Sequence, residues 1–238
     1  DKRQYGRLAR EITRLDFNKI DPLYAVKQSI LWSYDKFEYG MTHAYAASAD
    51  WVSFYQDLKS REDKIICLTE AVEHMSYDSL RHKKYDFIKT ADEYCQKKLM
   101  QYTLEENAKK AEGIALAGIS DGLRFKDFEE VLSKLALEHY NDFGHSLIYV
   151  VKAGELSEAF DCPEVDRALV LTLVRGLCYS TKEDLIPEFK NYKKTVDRIT
   201  TFGNEEDESF CLPKMNVSKT CDWLVDNHKK YSENFLYE

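Results

Sequence analysis

The sequence predicts an all-α fold, a multi-helix bundle or stack of helical hairpins with about nine to ten helices. Three observations predict it. Chain breakers are sparse, with 9 Gly and 4 Pro in 238 residues, which leaves little room for the many turns of a β fold. Apolar residues recur at three- and four-residue spacing in segment after segment. Capping signals punctuate those segments at helix length.

Residues 3–15 alternate charge with Leu8, Ile12 and Leu15 at helical spacing. Asp21-Pro22 opens a second helix, with Pro at a favoured first-turn position, and Ala25, Ile30, Leu31 and Tyr34 carry it to about Phe37. Gly40 ends that run, and a third helix passes through His43 and Trp51 to about Leu58. Ser60-Arg61-Glu62-Asp63 caps a fourth, which carries Ile65, Ile66, Leu68, Val72 and Met75. Thr103-Leu104-Glu105-Glu106 matches a capping box and predicts a helix start there, leading into a small, apolar stretch from Gly113 to Gly122 suited to close helix contacts. From Phe125 to Phe160 the helical period persists, broken at Asn141-Asp142-Phe143-Gly144, where a kink or tight helix–helix turn is expected. Asp161-Cys162-Pro163-Glu164 caps the next helix, through Leu169, Leu173 and Leu177. Ser180-Thr181-Lys182-Glu183 caps the last main one, to about Ile199.

After Gly203 the composition shifts. Asn204-Glu205-Glu206-Asp207-Glu208 is an acidic linker, Cys211-Leu212-Pro213 reads as extended, and a terminal helix from Ser218 to Tyr231 docks back through Trp223 and Leu224. The expected organisation is a helical domain over 1–203 and a linker with a docking helix over 204–238, the latter also a surface for a protein partner. There is an internal echo: Tyr34-Asp35-Lys36-Phe37, then Gly40 and His43, resembles Tyr140-Asn141-Asp142-Phe143-Gly144-His145. Each histidine stands seven residues before a polar residue, Asp50 and Lys152 respectively.

Composition bounds the function classes. A chain that is 44% hydrophobic and 13% aromatic is globular, and at this size roughly 70–75% of its unfolded surface is buried, enough for a dry interior site. The net charge of −8 excludes a general nucleic-acid binder, and the local lysine pairs (Lys83-Lys84, Lys109-Lys110) read as solvated helix faces. The six cysteines, Cys67, Cys95, Cys162, Cys178, Cys211 and Cys221, form no CxxC pair and read as reduced thiols of a cytoplasmic protein. No apolar run approaches membrane-spanning length, no signal-peptide core opens the chain, and a soluble protein is expected. The first residue is Asp1 rather than Met, so an upstream segment is expected.

No HExxH, P-loop, GxGxxG or GxSxG motif is present, and the glutamates of Glu70-Ala71-Val72-Glu73-His74 stand at the wrong offsets for a ferritin-like di-iron site. What remains is a set of histidines on apolar helix segments. His145 and Lys152 lie two turns apart and about 20° out of register, so both project from one helix face, as do His43 and Asp50. His74 follows Glu70 by one turn, and His139 stands just before the expected kink. A lone histidine on an apolar face is ordinarily a core residue with one hydrogen bond. Four together point to a shared transition metal, which would satisfy several imidazoles at once. Lys152 either snorkels to a carboxylate or, with a depressed pKa, joins the metal. His82, among Arg81, Lys83 and Lys84, is expected to be exposed, and His228 is set aside with the tail.

The stretch from His139 to Leu156, with His145-Ser146-Leu147-Ile148-Tyr149 and Gly154-Glu155-Leu156, resembles the H-x-L-I-(Y/H)…G-(E/L)-L segment of the questin oxidase-like family. The segment Arg167–Phe189, with Leu173-Val174-Arg175-Gly176-Leu177-Cys178-Tyr179 before Glu183-Asp184-Leu185-Ile186-Pro187-Glu188, is similar to it too, and to the helical portion of some Rieske-containing bacterial proteins. The resemblance spans about a third of the chain. It implies an all-helical oxygenase of polycyclic aromatic ketones with a histidine-rich mononuclear iron site, and it carries over to His145 and Lys152. The chain is shorter than the fungal enzymes and lacks the C-x-H…C-x-x-H pairs of a Rieske centre, so electrons would come from elsewhere.

Two readings follow. In the first, a metal-dependent oxidoreductase, His43, His74, His139 and His145 hold one iron with Lys152 as a fifth ligand or neighbour. Asp50 or Glu70 orients imidazoles, and Tyr149, Trp51 and Tyr45 line a pocket for a flat aromatic or ketone-type substrate. In the second, the chain is a non-catalytic helical interaction module.

Overall fold

The computed structural model describes residues 4–79, 83–88, 93–205 and 214–232. Among these residues the chain forms eleven α-helices and three short 3₁₀ turns, with one isolated β-bridge between Glu205 and Tyr231. The fold is all-α, as the periodicity predicts. No helix of the described residues is long and apolar enough to cross a membrane. His82, Cys211-Leu212-Pro213 and residues 206–208 of the expected acidic linker lie outside the described residues.

The chain divides into two compact units, one of residues 1–136 and 144–180, the other of residues 137–143 and 181–238. Residues 181–203 therefore group with the C-terminal helix rather than with the helices before them.

The first unit begins with α1 (Tyr5–Phe17), α2 (Leu23–Ser33) and a 3₁₀ turn at Tyr34–Lys36. Asp21 accepts from the Leu23 amide at 3.0 Å, so the Asp-Pro signal starts α2 as expected. α3 (His43–Asp57) is capped by the Thr42 side chain, which accepts from the Tyr45 amide. α4 (Arg61–Ser79) is capped by Ser60, which accepts from the Asp63 amide at 3.3 Å.

The capping box at Thr103 does not start a helix. Thr103 lies in the last turn of α5 (Gln96–Leu104), where its hydroxyl donates to the Leu99 carbonyl. Glu106 takes a left-handed φ of 58°, and Asn107 caps α6 (Ala108–Ser120) in its place. The S/T-x-x-E pattern fails here because its Glu stands in the turn rather than inside the next helix.

α7 (Phe125–Leu137), α8 (His145–Phe160) and α9 (Pro163–Tyr179) complete the helices that this unit draws on. α9 starts at Pro163, the first-turn position its sequence signals. It is buried nearly all round, from Val165 to Cys178, and packs on α2, α5, α6 and α8, as an all-round apolar helix must. Gly40, at φ 86°, brings the chain against α9 so closely that a Cβ there would stand 2.8 Å from the Gly176 Cα. The Met41 amide donates to the Thr172 carbonyl at the same point.

The internal echo is structural. A glycine of positive φ and a histidine in the first helical position recur as Gly40 and His43 and as Gly144 and His145, whereas the short turns before them differ, right-handed at Tyr34 and at positive φ in Asp142 and Phe143. The helices so started, α3 and α8, pack on each other.

In the second unit, residues 141–143 form most of the expected break, with Tyr140, Asp142 and Phe143 all at positive φ. Thr181 donates through its amide and hydroxyl to Asp142, and Tyr140 packs its ring on Phe189 and Tyr192. The long helix expected from Ser180 to Ile199 is not formed. Ser180 is extended (ψ 146°), Glu183–Leu185 is a single 3₁₀ turn, and only α10 (Tyr192–Val196) follows. Pro187 explains the gap, because it drives Ile186 out of the helical region (ψ 138°). α11 (Val217–Asn227) packs on α10, and the Gly203 amide donates to the His228 carbonyl.

Candidate functional site

The structure brings together part of the predicted set. His43 and His145, each the first residue of its helix, face each other across the α3–α8 seam with ring centroids 5.0 Å apart at 72°. Tyr149, one turn along α8, places its hydroxyl 3.1 Å from His43 Nδ1. Lys152 continues the same face, with Nζ 2.8 Å from Asp50 and 2.9 Å from Glu155. The shared helix faces inferred from spacing are therefore real.

The other candidates stand elsewhere. His74 pairs along its own helix with Glu70, at 3.4 Å, and more loosely with Glu73. Burial and the neighbouring Glu70 push Tyr5 up to about 12. His139 belongs to the second unit, where its Nδ1 hydrogen-bonds with Asp184 at 2.9 Å. None of His43, His74, His139 and His145 is buried, contrary to their expected place in a core. His43 and His145 stand at helix starts, His74 lies within α4, and His139 lies in the turn that follows α7. The most buried of the described histidines is His228, set aside by sequence, whose Nδ1 lies 2.7 Å from the Val225 carbonyl.

These residues do not fit a mononuclear iron centre. Among the described residues no group of three or more His, Cys, Asp or Glu side chains is arranged to hold a metal ion. Lys152 is held as an ammonium: it donates hydrogen bonds to Asp50 and to Glu155, which raise its pKa, and a protonated ammonium has no lone pair to give. Asp50 holds that ammonium rather than an imidazole. Tyr45 does not line a pocket either. It is fully buried, edge-on to Phe37, with its hydroxyl on the Ile30 carbonyl. Trp51 packs edge-on to Phe54.

A pocket of about 500 Å³ lies instead elsewhere in the first unit. Its walls come from four places in the sequence: the 3₁₀ turn (Tyr34, Asp35), the non-helical segment 83–88, the C-terminal half of α6 (Leu116, Ile119, Ser120) and Arg167 of α9. Tyr34 and Phe87 stack in parallel at 5.6 Å and 11°, and Tyr85 meets Phe87 edge-on. The Tyr85 amide donates to the Asp35 carbonyl and ties the segment to the turn. Lys84 pairs with Asp35 at 2.9 Å, and Lys36 pairs with the same carboxylate.

Behind Tyr85 lies an ion pair that sequence reasoning missed. Arg175 and Glu112 are both fully buried, and the guanidinium donates through Nε and Nη2 to a single oxygen, Glu112 Oε1. Tyr85 and Phe87 cover the guanidinium with their ring faces. Burial raises the Glu112 pKa, and Arg175 partly offsets it; burial and then the Glu112 charge raise that of Tyr85. The available signal was a single charge inside an apolar run, Arg175 in Leu169–Leu177 and Glu112 between Ala111 and Gly113.

No family model, no curated protein and no solved structure matches the chain. The reading of the site therefore rests on its own geometry.

Proposed function

We propose that the chain binds a flat aromatic small molecule in the pocket walled by Tyr34 and Phe87. The observation that carries this reading is the pocket itself, about 500 Å³, walled by aromatic, aliphatic and polar side chains. Small-molecule sites commonly have this size, 300–1,000 Å³, and here polar side chains share the lining almost equally with apolar ones. The groups of perturbed pKa nearest to it, Tyr85, Lys84 and Glu112, line it or stand directly behind its wall. Perturbed groups gather at functional sites. The flat substrate expected from sequence keeps its place in this reading, and the pocket moves from the histidines to the other side chains named above. Among the described residues no donor set for iron is gathered.

Titration with 2-naphthamide, followed by its fluorescence, tests the reading. Saturable one-to-one binding is expected, weakened by Phe87→Ala and abolished by Ser120→Trp, which fills the pocket from an exposed position on α6. Binding unaffected by Ser120→Trp, or no saturable binding, would sink it.

A further inference from the structure

We infer that the ligand of this pocket is an aromatic carboxylate whose anionic group is bound by Arg167, an inference that rests on the pocket being a ligand site. Arg167 is where the otherwise buried α9 surfaces, half-buried, among the pocket's lining residues. Its guanidinium donates from Nη1 to the Tyr34 hydroxyl at 3.3 Å, a neutral partner. Among the described residues no carboxylate stands within ion-pair distance of it. The buried arginine on the same helix, Arg175, is bound to Glu112, and Arg124 is bound to Asp166 and Asp161.

A guanidinium has five N–H donors, and a half-buried one with a single neutral partner keeps most of them for a planar acceptor. A carboxylate matches that fork, and the lining side chains Phe87, Leu116 and Ile119 suit an apolar ring body. The rest of the charge in the pocket bounds the anion. Lys84 and Lys36 share the Asp35 carboxylate, and Asp86, exposed, adds a second negative charge to the lining. Among the described residues three cations, Lys36, Lys84 and Arg167, face two carboxylates, Asp35 and Asp86, which leaves one positive charge for a ligand anion. A phosphate dianion would need a second cation that the pocket does not supply.

Calorimetric titration of the full chain with 2-naphthoate and with its neutral isostere 2-naphthamide tests the inference. The wild type should bind naphthoate at least tenfold more tightly than naphthamide. Arg167→Gln should remove that preference while leaving the naphthamide affinity within threefold, and Arg167→Lys should keep part of it. Equal affinity for the two probes in the wild type would overturn the carboxylate while leaving the pocket standing. A naphthoate preference that survives in Arg167→Gln would overturn the role of Arg167. Failure of both probes to bind would overturn the pocket reading and this inference together. Thermal unfolding of each variant distinguishes a lost contact from a lost fold.

Discussion

Replacing Arg175 by Met keeps much of the side chain's length and deletes its charge, leaving Glu112 buried without its hydrogen-bonded cation. Both partners are fully buried, so little solvent screening softens the loss. Breaking a buried pair from one side costs about 3–5 kcal/mol, and the lost ring contacts of the guanidinium with Tyr85 and Phe87 add to it. Arg175→Met combined with Glu112→Leu removes both charges and should recover most of that loss, because apolar replacement of a whole buried pair is commonly neutral or stabilising. Urea unfolding followed by far-ultraviolet circular dichroism measures each. The loss should also depend on pH. Burial raises the folded-state pKa of Glu112 above the ordinary carboxylate range, and without Arg175 it rises further. The folded state then binds more protons than the unfolded state, so stability present below about pH 4.3 is lost as pH rises through the folded pKa. The Arg175→Met defect should therefore be smaller at pH 5 than at pH 7. A single variant within about 1 kcal/mol of wild type, or a double variant as unstable as the single, would refute the reasoning.

Other outcomes follow from particular contacts. Gly40→Ala puts a Cβ against the backbone of α9 at a left-handed φ and should cost roughly 2–5 kcal/mol in urea unfolding; a cost below about 1 kcal/mol would mean that the loop and α9 part freely. Asp166→Ala should cost about 2–3 kcal/mol, since the buried carboxylate accepts from Ser157, the Phe125 amide and Arg124; an unchanged urea midpoint would contradict that network. Protein purified without chelator should carry far less than one equivalent of iron, and a full equivalent lost in His145→Ala would overturn the account of the histidines.

Much of the fold was legible in the sequence, because helical period, Asp21-Pro22, Ser60 and Cys162-Pro163 are local signals read by local physics. Thr103 and Ser180 misled for local reasons too: Glu106 turns left-handed, and Pro187 ends the helix that Ser180 announces. The shared faces of His43 with Asp50 and of His145 with Lys152 were legible through spacing, while the packing of α3 on α8 that brings the two histidines together is tertiary. The partners of His74 and His139 were not legible, because spacing along the chain does not show that Glu70 takes the first and Asp184 takes the second. The pocket was not legible at all. Its walls come from Tyr34, Tyr85, Phe87, Leu116 and Arg167, residues joined only by tertiary packing.

The most direct test of the central claim is a crystal structure of the chain grown with 2-naphthoate. The account predicts the naphthyl ring against Tyr34 and Phe87 with its carboxylate in hydrogen-bond reach of the Arg167 guanidinium. A probe seated instead at His43, His145 and Tyr149, or a pocket closed by the chain's own side chains, would contradict it.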